Sequence, residues 1–457
     1  MFGRLITHLT VFQQEAYEVG RFLKWLVKHP FQSKITVKKP LVWTQKVKNI
    51  LILGSLLWII LVVTLYFYHK YLFLFFLLLS IWQPGIVLIF GLFLLKPYEI
   101  VNRNRVVNKT NCFFASHKDL EVVGITGSFG KTSVKDFLFE IVRGSNKAVR
   151  TPESFNTVFG IKKVVDFEIT NKTNLFLCEM GAYTRGEVAG LCKMVLPRYG
   201  ILTAIGTQHL ERFGSLINTT LGKFELVDAV EPKNALVNLD NDLIANHLTN
   251  NKKYSQVKTY STSNPKADFY AKKVSMSTKG MSFEMMGSRY SVELFGSVNL
   301  SNIVAAISMA KILKVPENKI VEGLKRIKPS PHRLELKRIG KCTLIDNAFS
   351  SNEIGFVSIV NDLKSLRGKM VLITPGIIEL GEKTEEVHKT LGRLASGVFD
   401  KYILVGKSER TKNFEKGLVN KSDVEYIDND ANLWPIINNL SKSYDWILLE
   451  NDLTDIV

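Results

Sequence analysis

Apolar positions fall into contrasting patterns along this chain, and each pattern predicts a different kind of element. Residues 50–68 read ILILGSLLWIILVVTLYFY, without a charge. That is long enough to cross a hydrocarbon core of roughly 30 Å as one transmembrane helix. A second apolar run, YLFLFFLLLSIWQPGIVLIFGLFLL at 71–95, carries Gln83, Pro84 and Gly85 in its middle. Proline removes a backbone donor and disfavours helix at the residue before it, so this run is either a kinked span or a re-entrant pair of half-helices. Beyond residue 120 short apolar runs (LEVVGIT, LFLCEMGA, YGILTAIG, ALVNL) alternate with helical stretches such as SVKDFLFEIVRG and NIVAAISMAKILK. Short buried strands separated by helices predict a mostly parallel sheet covered on both faces. The prolines of IKPSPHR, residues 327–333, mark a linker, after which CTLIDNAF, KMVLITPG, KYILVG and DWILLEN repeat the strand pattern.

Charge then orients the apolar runs. The chain has 457 residues and a formal net charge of +18. Beside apolar spans such a balance marks cytoplasmic flanks facing anionic headgroups, and no nucleic-acid partner is expected. Lys38, Lys39, Lys46 and Lys48 precede the first run and Lys96, Arg103 and Arg105 follow the second, while the short connection holds only Lys70. The positive-inside bias predicts a multi-pass cell (inner) membrane protein with both ends, and the catalytic domains, cytoplasmic. The first apolar run starts too far into the chain for a cleavable signal peptide. Residues 1–48 are basic, and YEVGRFLKWLVKHPF puts Tyr17, Phe22, Trp25 and Leu26 on one helical face. This arm is either an amphipathic helix lying on the cytoplasmic leaflet or a solvated segment. Cys112, Cys178, Cys192 and Cys342 form no CxxC pair, so neither a disulfide framework nor a zinc site is indicated.

The sharpest chemical signal is VVGITGSFGKTSVKDFLFEIV, in which a strand runs into Gly124, Gly127, Ser128, Gly130, Lys131, Thr132 and Ser133 and a helix follows. Glycines let backbone N–H groups approach phosphate oxygens. The helix N-terminus adds partial positive charge, Lys131 reaches the outer phosphates, and the Thr132 hydroxyl can hold Mg2+. Ile125 stands where the common phosphate-loop pattern has its first glycine.

With that displaced spacing, GITGSFGKTSVKDF resembles the central ATP-binding domain of the Mur ligase family. TPESFNTVFGI, CEMGAYTRGEVAGL, ILTAIGTQHLERFGSLINTTLGKFEL and NLSNIVAAISMA follow in the family's order. GSFGKTSVK and HLERFGS resemble the branch that adds D-alanyl-D-alanine to a UDP-linked muramoyl tripeptide. The fold class implied is α/β: a transmembrane helical hairpin (49–96) behind the basic arm, a P-loop parallel-sheet ATP-binding domain (97–328) and a C-terminal Rossmann-like α/β domain (329–457). The resemblance implies ATP-driven amide formation with ATP and Mg2+. Glu179 would be a metal ligand with Thr132, His209 a second-metal ligand, and Lys223 a carbamylated, metal-bridging lysine. Catalytic roles fall to Lys131, Lys223 and His209, and nucleotide contacts to Asn156, Asn302, Arg333 and Asp346. From residue chemistry alone, His209 reads as a capping or core histidine and Lys223 as a solvated charge.

Two departures qualify the resemblance. Only about 25 residues separate the second apolar run from the P-loop strand, so a membrane hairpin is expected in place of the family's UDP-gripping domain. In DNAFSSNEIGF, Asp346, Phe349 and Asn352 fit the dipeptide-adding branch while Ser350 and Glu353 do not. IIELGEKTEEVHKTLG keeps Glu379, Gly381 and His388 in register, or is an exposed amphipathic helix with a satisfied histidine. The expected activity is cell-wall precursor ligation, with membrane lipids, a wall precursor, an amino acid or dipeptide and other wall-synthesis enzymes as partners. The rivals are a two-domain ligase or amidating subunit acting on lipid-linked wall precursor, a polyglutamate-type ligase and a non-catalytic nucleotide-binding scaffold.

Overall fold

A helix interrupted by proline leaves backbone groups that something else must satisfy. α1 (Phe2–Gln14), α2 (Val19–Lys28), α3 (Gln45–Tyr68), α4 (Lys70–Trp82) and α5 (Gly85–Ser116) show how the break at Pro84 is resolved. In this computed structural model, residues 2–15, 17–30, 41–152, 155–207, 210–349, 351–378, 380–419, 423–428, 432–451 and 453 are described. They form two compact units, Met1–Arg105 and Val106–Val457.

Within the first unit the Trp82 carbonyl accepts from Arg4 Nη1 at 3.2 Å, and the Gly85 N–H donates to His8 Nδ1 at 3.0 Å. Gln83 Nε2 donates to the Pro30 carbonyl at 3.0 Å. α3 meets α5 at two glycines. A Cβ on Gly91 would lie 1.9 Å from the Ile50 carbonyl oxygen, and one on Gly54 2.2 Å from that of Val87, so the backbones touch. Trp58 packs on Phe76 and Phe90, on either side of the break. Residues 70–95 therefore return along α3 as one kinked antiparallel run, not as two half-helices. Helix α5 continues through residue 97 without interruption. By length and composition α3 and α5 are able to cross a membrane.

The α2 face read from the sequence is a protein-packing face. Phe22 and Leu26 are buried with Phe12, Ile50 and Leu88, and Tyr17 and Trp25 pack on the same cluster. Neither lipid nor water covers Phe22 and Leu26 here, because α1, α3 and α5 do. Lys38 and Lys39 lie outside the described residues.

In the second unit every quoted apolar run becomes a strand. β1 (Glu121–Thr126), β2 (Ala148–Arg150), β3 (Leu175–Glu179), β4 (Tyr199–Leu202), β5 (Ala235–Asn238), β6 (Lys258–Ser261) and β7 (Phe269–Tyr270) form a seven-stranded parallel sheet, ordered β2-β3-β1-β4-β5-β6-β7. The buried sides of β1 and β3 face two different apolar clusters, one on each side of the sheet. That is why these strands are apolar at consecutive positions. After residue 328 a six-stranded mixed sheet follows. β11 (Glu335–Ile339) is antiparallel to β12 (Cys342–Asn347), which continues through β16 (Trp446–Glu450), β13 (Met370–Thr374), β14 (Lys401–Val405) and β15 (Asp423–Ile427) in parallel. The α/β class is thus the observed one. Between the two sheets lies an antiparallel meander, β8 (Lys272–Ser277), β9 (Gly280–Met285) and β10 (Ser288–Val292), which the sequence reading passed over. Its signal was present: β9 alternates buried and half-buried positions along GMSFEM.

Candidate active site

β1 delivers the phosphate loop to the N-terminus of α6 (Lys131–Val142). Gly127 and Gly130 sit at φ +152° and +81°. A Cβ on Gly127 would fall 2.1 Å from Thr203 Oγ1, and one on Gly130 2.6 Å from Asn302 Oδ1. Both glycines are therefore required by φ and by space, and they bring Asn302 against the loop. Ser128 is buried, its N–H on the Ala204 carbonyl at 2.8 Å and its Oγ accepting from Gly206 N at 3.0 Å. Lys131 Nζ donates to the carbonyls of Gly127 (2.8 Å) and Ser128 (3.3 Å), a lysine folded over its own loop. Ser133 is buried and lines a small cavity with Gly130, Asn302 and Arg333.

Glu179, at the C-terminal end of β3, is buried and held on both oxygens. Lys135 Nζ lies 3.2 Å from Oε2 and Asn156 Nδ2 donates to Oε1 at 3.1 Å. Burial would raise the carboxyl pKa, but the Lys135 and Lys131 ammonium groups and the Asn156 bond outweigh it and hold it below the usual range. Lys131 is displaced downward, chiefly by burial and further by Arg333 and Lys135, against Glu179.

Lys223 lies on helix Leu216–Asp228, whose Ser215 cap accepts from Asn218 N. It is buried, donates to the Ala182 carbonyl at 3.3 Å and sits 5.4 Å from the Phe213 ring centroid. Burial, reinforced by Lys131 and opposed by Glu187 and Glu225, brings its pKa down to about 7. The solvated-charge reading of this lysine does not hold. His209 lies outside the described residues, as do Ser350 and Glu379.

From the C-terminal half, Arg333 stacks on Phe349 at 4.3 Å and lines the same cavities as Thr132 and Gly130. Burial works against its charge while Glu179 and Asp136 support it. Asp346 differs from this group. Fully buried on β12, it is bonded to Lys337 Nζ at 2.6 Å, His332 Nδ1 at 2.9 Å and Ala348 N. Its carboxylate orders the linker rather than facing the loop cavities. His388 is a satisfied core histidine on a helix half packed inward, accepting from Ile377 N at 2.9 Å and paired through Nδ1 with the Thr384 carbonyl.

Sequence reasoning missed Lys135, Asp136, Arg150 and Asp362. Lys135 had a signal, for it falls on the buried stripe of α6 with Leu138 and Val142, where a solvated lysine has no place. Asp136 joins Arg150 at 3.1 Å and Ser330 Oγ at 3.0 Å. Asp362 accepts from Ser297 N at 2.8 Å and Ser297 Oγ at 3.0 Å. It thereby caps helix Ser297–Ile312, whose own N-cap is Gly296.

The residues present fit ATP and Mg2+. The glycine cradle leaves no room for a Cβ, and the hydroxyl of Thr132 and carboxylate of Glu179 are hard oxygen donors. Mg2+ keeps waters and phosphate oxygens beside one or two protein ligands, so a larger carboxylate cluster is not needed.

Residues 125–310 match the family described as Mur ligase middle domain. The UDP-N-acetylmuramoyl-tripeptide--D-alanyl-D-alanine ligase of Buchnera aphidicola (subsp. Acyrthosiphon pisum) is 28% identical over 351 residues, 73% of this chain and 76% of that one. Among solved structures, MurF from Acinetobacter baumannii superposes with a TM-score of 0.68 at 23% identity, over 77% of this chain and 78% of the other. MurF ligase from Thermotoga maritima in complex with ADP gives 0.66 at 20% identity, over 76% and 80%. These likenesses to solved structures are in fold. The matched middle domain, the homologous ligases and the P-loop geometry together make this chain similar to the ATP-dependent Mur ligases.

Proposed function

We propose that this protein is a membrane-anchored, ATP- and Mg2+-dependent ligase that joins D-alanyl-D-alanine, or a similar amine, to a muramoyl peptide during peptidoglycan precursor synthesis on the cytoplasmic face. One observation carries the reading. Around a single P-loop stand Lys131, a carboxylate pinned by Lys135 and Asn156, a lysine near neutrality, and Arg333 brought from the C-terminal half. A nucleotide-binding scaffold needs the loop alone.

ATP and Mg2+, when bound, supply the phosphoryl group and the neutralisation of its charge. Lys131 and Arg333 orient the γ-phosphate so that a substrate carboxylate oxygen attacks phosphorus and ADP leaves. The amine nitrogen of the second substrate then attacks the acyl phosphate carbon. The N–C bond forms, the C–O bond to phosphate breaks, phosphate leaves with the electron pair and one amine proton goes to solvent. Placed cations supply most of such catalysis. Lys223, its pKa brought down to about 7 by burial, would take up CO2 as a carbamate, which would supply the metal with a further anionic oxygen.

The membrane part rests on bare apolar surface. Ile60, Phe67, Tyr71 and Phe75 are each more than half exposed on α3 and α4. Exposed apolar surface of this kind marks an interaction surface, and lipid suits the uncharged stretches 50–68 and 71–82 of these helices. The hairpin would hold the active site near lipid-linked intermediates.

The test is phosphate release by detergent-purified protein with ATP and Mg2+, comparing UDP-muramoyl tripeptide with lipid-linked muropeptide, each with D-alanyl-D-alanine. Release with the UDP substrate supports the dipeptide-ligase reading. Release with only the lipid-linked acceptor assigns substrate capture to the membrane. Release that survives Lys131→Ala, or none with either acceptor, overturns the proposal.

A further inference from the structure

A cavity of about 880 Å3 opens beside the P-loop, lined by other residues than the Asn302 pocket. Its floor is one face of that helix: Thr132, Asp136 and Phe139, at i, i+4 and i+7. At 1.5 Å per residue these positions span about 10 Å. One end is the phosphate end, walled by Thr132 and Arg333. At the other stands Arg150 of β2, its guanidinium 4.4 Å over the Phe139 ring and its Nη1 3.1 Å from Asp136 Oδ1. The stack and the ion pair fix the plane of the guanidinium. Of its five N–H donors the Asp136 contact takes one, so the fork keeps donors for a planar carboxylate. Phe349 forms an apolar wall beside the phosphate end.

We infer that this cavity is the docking track of the incoming amine, and that Arg150 selects an amine bearing a free C-terminal carboxylate about two residues away. An extended dipeptide covers about 7 Å from amine to carboxyl, and a hydrogen bond at its end fills the rest of the track. Ammonia leaves Arg150 unused, and a single amino acid falls short. Arg333 and the nearby Lys131 favour the uncharged amine, the form that attacks. The inference rests on the ligase reading and narrows it, because an amidating enzyme that uses ammonia has no need of Arg150.

The experiment is titration calorimetry on the full-length protein in detergent, loaded with a non-hydrolysable ATP analogue and Mg2+. D-alanyl-D-alanine, its C-terminal amide and D-alanine are the probes. Loss of a charge-assisted hydrogen-bonded pair lowers affinity roughly 10- to 100-fold. Wild type should prefer the acid over the amide by about that factor, and D-alanine should bind more weakly than the dipeptide. Arg150→Gln should bring acid and amide level while the ATP analogue binds within about twofold of wild type, which reports a folded P-loop. Should Arg150→Gln fold poorly, the acid-against-amide comparison on wild type still decides. Equal affinity of wild type for acid and amide, a preference retained in Arg150→Gln, or no dipeptide binding overturns the inference. Acceptor-dependent phosphate release that is indifferent to Arg150 would sink the track and leave the ligase standing. Arg150-dependent dipeptide binding without turnover on any muramoyl acceptor would sink the ligase instead.

Discussion

Lys223 offers the most exposed test of the site. With its pKa down at about 7 instead of 10.5, roughly three-quarters of it is neutral at pH 7.5, where an ordinary lysine is neutral about one time in a thousand. Placing the ammonium there instead of in water costs on the order of 5 kcal/mol, most of it from burial. The folded protein therefore binds fewer protons than the unfolded chain between about pH 7 and pH 10.5. By linkage, stability relative to Lys223→Met should be flat below pH 7, climb through that window, and level off above it. Urea unfolding of both proteins across pH 6–11 measures the difference directly. The same neutrality predicts a carbamate: 13C-bicarbonate should give a carbonyl resonance in wild type that Lys223→Met lacks, and ATP turnover should rise with bicarbonate. A stability difference independent of pH, together with no carbamate resonance at saturating bicarbonate, would refute both the depressed pKa and the role built on it.

Three further outcomes follow from the packing. Glu179→Ala takes from the buried Lys135 ammonium its 3.2 Å carboxylate partner, leaving Asp136 at 3.9 Å, and should cost about 3–5 kcal/mol in chemical denaturation. Glu179→Gln combined with Lys135→Met should recover most of it, and a loss under about 1 kcal/mol in the single variant would show the pair is not structural. Asp362→Ala removes the cap that the C-terminal half places on helix Ser297–Ile312, so about 1–2 kcal/mol of stability should go. Small-angle scattering should show a larger particle with ATP analogue and Mg2+, and identical profiles would argue against the cap as a link between the halves. Gly91→Leu forces a side chain into a space where a Cβ already lies 1.9 Å from the Ile50 carbonyl oxygen. A lower unfolding temperature in detergent is expected, and an unchanged one would deny the close helix crossing.

The α/β class, the strand positions and the P-loop were legible because each is a local pattern. Consecutive apolar residues between helices fix buried parallel strands, and glycines at 127 and 130 before Lys131 fix a phosphate-loop turn. The kinked run at Gln83–Pro84 was half legible. Proline dictated the break, but only the opposed glycines 54 and 91 decided that the chain returns along α3. Lys223 was visible as a residue and not as chemistry, because its near-neutral amine comes from burial among residues 180 to 225 and from the field of Lys131.

What the sequence alone determined is what depends on neighbours along the chain: element type, the P-loop, the two apolar runs and the resemblance that pointed to a ligase. What the tertiary structure decided depends on residues far apart. Lys135 meets Glu179 across 44 positions, Ser330 meets Asp136 across 194, and Asp346 turns from the loop cavities to His332 and Lys337. Burial and long-range charge set which of these groups are ionised, which are paired and which face a substrate. Those quantities exist only once the chain has closed on itself.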